Sequence, residues 1–113
     1  MHELSIAMGI VKIARQELKK SGAHKILRID LDIGKLAGIE FEALDFVWPM
    51  AVKDTVLETA ERRVNKIEGK ATCLECDTEF AVKQVYDPCP ECNSYLKGII
   101  QGKELRVQAL EVE

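Results

Sequence analysis

The chain has no long apolar run, and nothing in its 113 residues is long enough to cross a bilayer as a helix. It has no excess of positive charge either. Sixteen Lys and Arg face 19 Asp and Glu for a formal charge of −3, which offers no general attraction to nucleic acid or to an anionic membrane. Four cysteines are too few for a disulfide-stapled mini-protein. There is no Ser/His/Asp or Cys/His constellation and no phosphate-cradling glycine loop, so no catalytic turnover is expected. The opening MHELSIAMGIVKIAR carries an acid near its start, charges inside the apolar stretch and no small-residue cleavage site; it does not read as a secretory signal, and the protein is expected in the cytoplasm. What remains, 47% hydrophobic and 31% charged, is the composition of one soluble domain with at most a small appendage, acting as a monomer or weak homodimer.

From Glu3 to Lys20, Leu4, Ala7, Val11, Ala14 and Leu18 recur at helical spacing, widened by Ile6, Ile10 and Ile13. Lys12, Arg15, Gln16, Lys19 and Lys20 collect on the other side. Ser21 and Gly22 then stop the helix. Lys25 to Ile33 alternates Leu27, Ile29, Leu31 and Ile33 against Arg28, Asp30 and Asp32, the pattern of a strand with one buried face. A second helix is expected through Phe41, Leu44, Trp48 and Ala51, kinked or ended by Pro49, which has no N–H. Thr55 to Glu68 favours a helix by its own spacing, through Leu57, Ala60, Val64 and Ile67. A terminal strand runs through Leu105, Val107 and Ala109, and its phase slips at Leu110, as at a bulge. Gly69 and Gly98 bracket the cysteine segment, which reads as an insertion of residues 70–97 in an α/β domain built from 1–69 and 98–113.

The cysteines form two C-x2-C pairs, Cys73/Cys76 and Cys89/Cys92, with 12 residues between the pairs. Two such turns bring four thiolates to one ion, and a closed tetrahedral set of four cysteines is a structural zinc site with no position left for water or substrate. A rubredoxin-like iron site uses the same ligands among many aromatics, but this segment has only Phe80, Tyr86 and Tyr95. With few large apolar residues of its own, the module relies on the ion; zinc contributes ~10 to 16 kcal/mol of apparent free energy to comparable small peptides. Between Cys73 and Cys92, five acids face Lys83 alone, a net of −4, and four thiolates around one divalent ion add −2. Binding of DNA or RNA is disfavoured on that ground.

His2 is the second candidate ligand. A free α-amine of Met1, the amide nitrogen and imidazole of His2, and alternatively the amide of Glu3, can close adjacent chelate rings in one plane. All-nitrogen planar ligation favours Ni(II) or Cu(II), whose d-electrons reward it. Taken alone, a His at position 2 is more commonly a solvated residue near a helix start. His24 reads as a solvated residue before the first strand.

The opening MHELSIA, the Ile33-Gly34 that ends the first strand, and the late C-x2-C-x12-CPxC before a terminal strand together resemble the HypA/HybF nickel-insertion accessory proteins of hydrogenase maturation. The resemblance runs over essentially the whole chain. It implies an α+β fold, with a three-stranded sheet and two helices forming a nickel-binding domain and a four-cysteine zinc-ribbon-like domain inserted before the last strand. It also implies a strand near Arg62–Glu68 in place of the helix favoured above, although the family tends to place an apolar residue where Arg62 stands. Carried over by position, Met1, His2 and Glu3 take nickel, and Cys73, Cys76, Cys89 and Cys92 take zinc. The implied partners are a HypB-type GTPase and the hydrogenase large subunit, with no nucleic acid and no membrane. Some members carry a His after the fourth cysteine; here the residue is Asn93, so a histidine-modulated zinc site does not carry over. The competing readings are a zinc-ribbon adaptor in transcription and a small iron redox carrier.

Overall fold

The computed structural model describes residues 2–113; Met1 lies outside the described residues. The elements run α1 Glu3–Ser21, β1 Ile26–Gly34, α2 Phe41–Val52, β2 Glu61–Ile67, β3 Gly69–Cys73, β4 Glu79–Val82, β5 Lys97–Gln101 and β6 Leu105–Val112. They form two three-stranded sheets, ordered β2-β1-β6 and β4-β3-β5. The α+β class is as the sequence implies. No helix among the described residues is long and apolar enough to cross a membrane.

The chain divides into two compact units, one made of residues up to Leu31 with Ile39–Asn65 and Arg106–Glu113, the other of Asp32–Gly38 with Lys66–Leu105. In the first, α1 buries Ala7, Ile10, Val11, Ala14 and Leu18 and ends where Gly22 adopts φ 73 and donates its N–H to Lys19 O. The strand β1 is central in its sheet, and its burial departs from simple alternation. Ile26 is buried where Leu27 was expected, Leu27 is exposed, and Asp32 is buried beside Leu31 and Ile33. A strand flanked on both sides has less open face than an edge strand, so polar positions are covered too.

The second helix buries Leu44, Trp48 and Val52 and continues three residues past Pro49, so the proline does not end it. Pro49 removes only one ladder bond, whereas each fully buried Leu or Val contributes roughly 1.5 to 3 kcal/mol. The helix favoured at 55–68 is absent. Thr55 Oγ1 bonds Val52 O and accepts from Leu57 N–H, successive turns follow to Ala60, and Leu57, 1% exposed, plugs the core from that loop. The strand β2 starts at Glu61, as the family resemblance implied. Arg62, Val64 and Ile67 are its half-buried positions, with the Arg62 guanidinium 4.9 Å over the Trp48 ring and paired with Asp45. The aliphatic stem and the stacked cation let an arginine occupy a position that favours an apolar residue.

In the second unit, β3 pairs antiparallel with β4 (Ala71 opposite Phe80) and with β5 (Ala71 opposite Ile99). Ala71, Cys73, Phe80, Val82 and Cys89 form its core, with Leu36 and Ile99 packed against them. This unit is wider than the 70–97 segment bracketed in the sequence. The backbone of 34–36 is stitched into it by Lys35 N–H to Ile67 O at 2.9 Å and Leu36 N–H to Gly102 O at 2.7 Å. A Cβ on Gly34 would lie 1.9 Å from Gly102 O, and Gly102 itself has φ +114, so neither position accepts a side chain. On β6, Ala109 and Leu110 are half-buried in succession, where the sequence phase slips.

Candidate metal centres

Each C-x2-C folds into the same turn. Cys73 N–H donates to Thr78 O at 2.8 Å and Asp77 N–H to Cys73 O at 3.0 Å; Cys89 N–H donates to Ser94 O and Asn93 N–H to Cys89 O, both at 2.8 Å. The bend is completed by a left-handed residue one past the second cysteine of each pair, Asp77 at φ 61 and Asn93 at φ 62. Asp and Asn are the residues, glycine apart, that tolerate that conformation best. Asn93 therefore has a turn-forming role. Within the turns, Glu75 N–H points at Cys73 Sγ and Glu91 N–H at Cys89 Sγ, both at 3.4 Å. Asp87 orders the approach to the second turn by accepting Gln84 and Lys83 N–H groups, which holds its carboxyl below the usual range.

All four Sγ atoms lie within 4.8 Å of one another, and among the described residues no other set of three or more His, Cys, Asp or Glu ligand atoms is so placed. Cys73–Cys92 and Cys76–Cys89 sulfurs are each 3.6 Å apart, and all four cysteines are free. Four sulfurs around one ion at about 2.3 Å stand about 3.8 Å from each other, so the set fits a tetrahedral thiolate centre. Protons fit it poorly. The Thr78 hydroxyl and amide, aided by Cys89 and Cys92, bring the Cys76 thiol down to about 6. For Cys92 the Ser94 amide lowers the pKa, but the Cys73 sulfur, burial and the other two sulfurs outweigh it and push the group up to about 12. The pocket accepts one thiolate readily and resists the next unless a cation enters.

At the other candidate site, His2 is exposed at the N-cap of α1 with φ 98, and its carbonyl accepts Ile6 N–H at 2.9 Å. The His2 and Glu3 amides thus stand ahead of the helix's own ladder, where N–H groups point outward. The Glu3 side chain is 7% exposed and accepts Glu40 N–H at 3.1 Å, at the start of α2. From the sequence, Glu3 contributes only its amide. The carboxylate contact tying the first turn of α1 to the head of α2 has no signature in the local sequence. Met1, the third residue of this candidate set, lies outside the described residues. His24 is exposed before β1, its N–H donating to Glu113 O, and it joins neither centre.

Two helices on a three-stranded sheet, with a four-cysteine metal-binding module carried on a sheet of its own, define a small α+β metal-handling protein. A family model for hydrogenase/urease nickel incorporation, the metallochaperone HypA, matches residues 1–112, and the chain belongs to that family. The hydrogenase maturation factor HypA of Parabacteroides distasonis is 40% identical over 113 residues, covering 100% of this chain and 98% of that protein. The corresponding factor of Geobacter metallireducens is 38% identical, with both chains covered in full. The solution structure of the nickel metallochaperone HypA from Helicobacter pylori superposes with a TM-score of 0.72 at 25% identity, covering 99% of this chain and 97% of that one. The family resemblance read from the sequence and the fold class it implied both hold. Neither competing reading, adaptor or iron carrier, is favoured.

Proposed function

We propose that this chain is a cytoplasmic nickel metallochaperone that binds Ni(II) through Met1, His2 and Glu3 and delivers it during maturation of [NiFe] hydrogenase. Nickel is exchanged with a HypB-type GTPase and passed to the hydrogenase large subunit. The segments 1–69 and 98–113 hold the nickel site, and 70–97 holds zinc. The observation that carries this reading is the start of α1, where the exposed imidazole of His2 and the outward amides of His2 and Glu3 are grouped at one helix end. With Met1 as the first residue, its α-amine completes a square of nitrogens around the cargo ion. The Glu3 carboxylate, held by Glu40 N–H, keeps the first turn in place while the amide beside it binds metal. No covalent step is required of the chain. Its residues bind, orient and release one ion, and the terminal position lets a partner replace the donors one at a time.

Zinc, when bound to Cys73, Cys76, Cys89 and Cys92, supplies a cross-link between the two turns in place of a larger core. The donor set is closed, so that ion is architecture.

Nickel titration of untagged, zinc-loaded protein tests the reading, followed by the weak d–d absorption of planar Ni(II), with mass spectrometry confirming Met1 as the first residue. One nickel per chain is expected. His2→Ala, or a single residue added before Met1, abolishes this binding and leaves zinc content unchanged, because extension turns the α-amine into an amide. Undiminished nickel affinity in the extended protein would move the site elsewhere, with His24 the first alternative.

A further inference from the structure

Leu74 directly follows the first cysteine ligand. Its N–H donates to Leu96 O at 3.0 Å, carrying the β3–β5 pairing one step past Cys73 opposite Lys97, so Leu74 and Leu96 stand across from each other. Cys73 is buried, and strand alternation turns its neighbour to the outer face. There Leu74 is 65% exposed and Leu96 59%. Gly98, the next outward position on β5, has no side chain, and the Leu74 methyl lies 4.0 Å from where its Cβ would be, over bare backbone. Two leucines facing each other across a strand pair in solvent, on a unit short of core, are the mark of an interaction surface.

The charge around this cap selects its occupant. Glu75 and Glu91 hold the same position in the two turns, Asp77 adds a third acid, and the segment Cys73–Lys97, which carries the cap, has five acids against Lys83 and Lys97. Four thiolates around a divalent ion add two further negative charges. A second copy of this chain would bring the same charge face to face, and nucleic acid or an anionic lipid would bring phosphate; all three are repelled. A protein segment that is apolar and basic is attracted on both counts.

We propose that the cap formed by Leu74 and Leu96 receives a basic, apolar segment of the protein to which nickel is delivered. That the recipient is the hydrogenase large subunit rests on the chaperone reading; the chemistry of the segment rests on the cap alone. Binding of the purified large-subunit precursor to the full-length, zinc-loaded chain tests this. The double variant Leu74→Ser/Leu96→Ser is expected to weaken binding at least about tenfold, since truncating buried anchors removes most of an interface's affinity. The double variant Glu75→Gln/Glu91→Gln keeps the apolar cap and is expected to lose most of the salt dependence. Zinc stoichiometry and nickel binding remain wild type in both. Unchanged affinity in both variants, or binding that tightens with added salt, overturns the proposal. A wild-type chain that binds nickel but not the precursor overturns it while the nickel reading stands; cap-dependent binding by a chain that takes no nickel at its terminus overturns the nickel reading alone.

Discussion

At Cys76 one hydroxyl and one amide of Thr78 converge on a sulfur that is itself exposed, while its partner in the pocket, Cys89, is fully buried. Once Cys76 is ionised only the hydroxyl can donate in that contact, so Thr78 favours the thiolate, the form that binds metal. Cys76→Ala leaves three sulfurs and an open coordination position in a unit whose core includes two of the ligands themselves, Cys73 and Cys89. Metal analysis is expected to show zinc lost, and limited proteolysis to cut between residues 70 and 97. One zinc per chain with unchanged protease resistance would contradict a structural zinc. Single residues also set what the sequence could reveal. The cysteines declare themselves by spacing, because a C-x2-C turn is a local object. Arg62 hides, because what makes it an inward residue is the Trp48 ring, which comes from another element.

At the level of elements, α1 was legible from end to end because its apolar stripe, its terminal lysines and Gly22 all belong to one continuous segment. The second helix tests the same logic at Pro49, which leaves Asp45 O without its helical donor while Leu44, Trp48 and Val52 hold the helix in place. Pro49→Ala restores that bond at an exposed position. The gain is expected to be about 1 kcal/mol after the extra freedom of the unfolded chain is subtracted. A thermal melt of the zinc-loaded protein is expected to shift upward by about 4 °C; a downward shift would mean that the proline suits a bend the helix needs. Residues 55–68 show the opposite case. Helical spacing there coincides with three consecutive turns and a strand, and the strand forms because β1 supplies the edge it pairs with.

For the whole molecule, the two proposed metals must answer acid differently. Metal ligands bind deprotonated, so affinity falls as pH falls. Nickel competes with protons for an imidazole, for an α-amine, and for amide nitrogens that only metal ionises. It is expected to leave steeply as pH drops. Releasing zinc requires protons to displace four thiolates and the module to open, so zinc is expected to persist to lower pH. Parallel metal analysis down a pH series checks the order. Zinc leaving first, or both ions leaving in one transition, would end the division into resident zinc and transferable nickel.

The sequence by itself determined the features that lie within one turn of chain: α1 and its glycine stop, the paired cysteine turns, the His2 position at a helix head, and through them the family. Tertiary structure alone decided that Glu3 reaches Glu40, that Arg62 turns inward, that Leu57 plugs the core from a loop, and that residues 32–38 join the second unit. Each of these depends on a partner many residues away. Local spacing reports which face a residue shares with its neighbours; which distant surface meets that face is settled only when the chain packs.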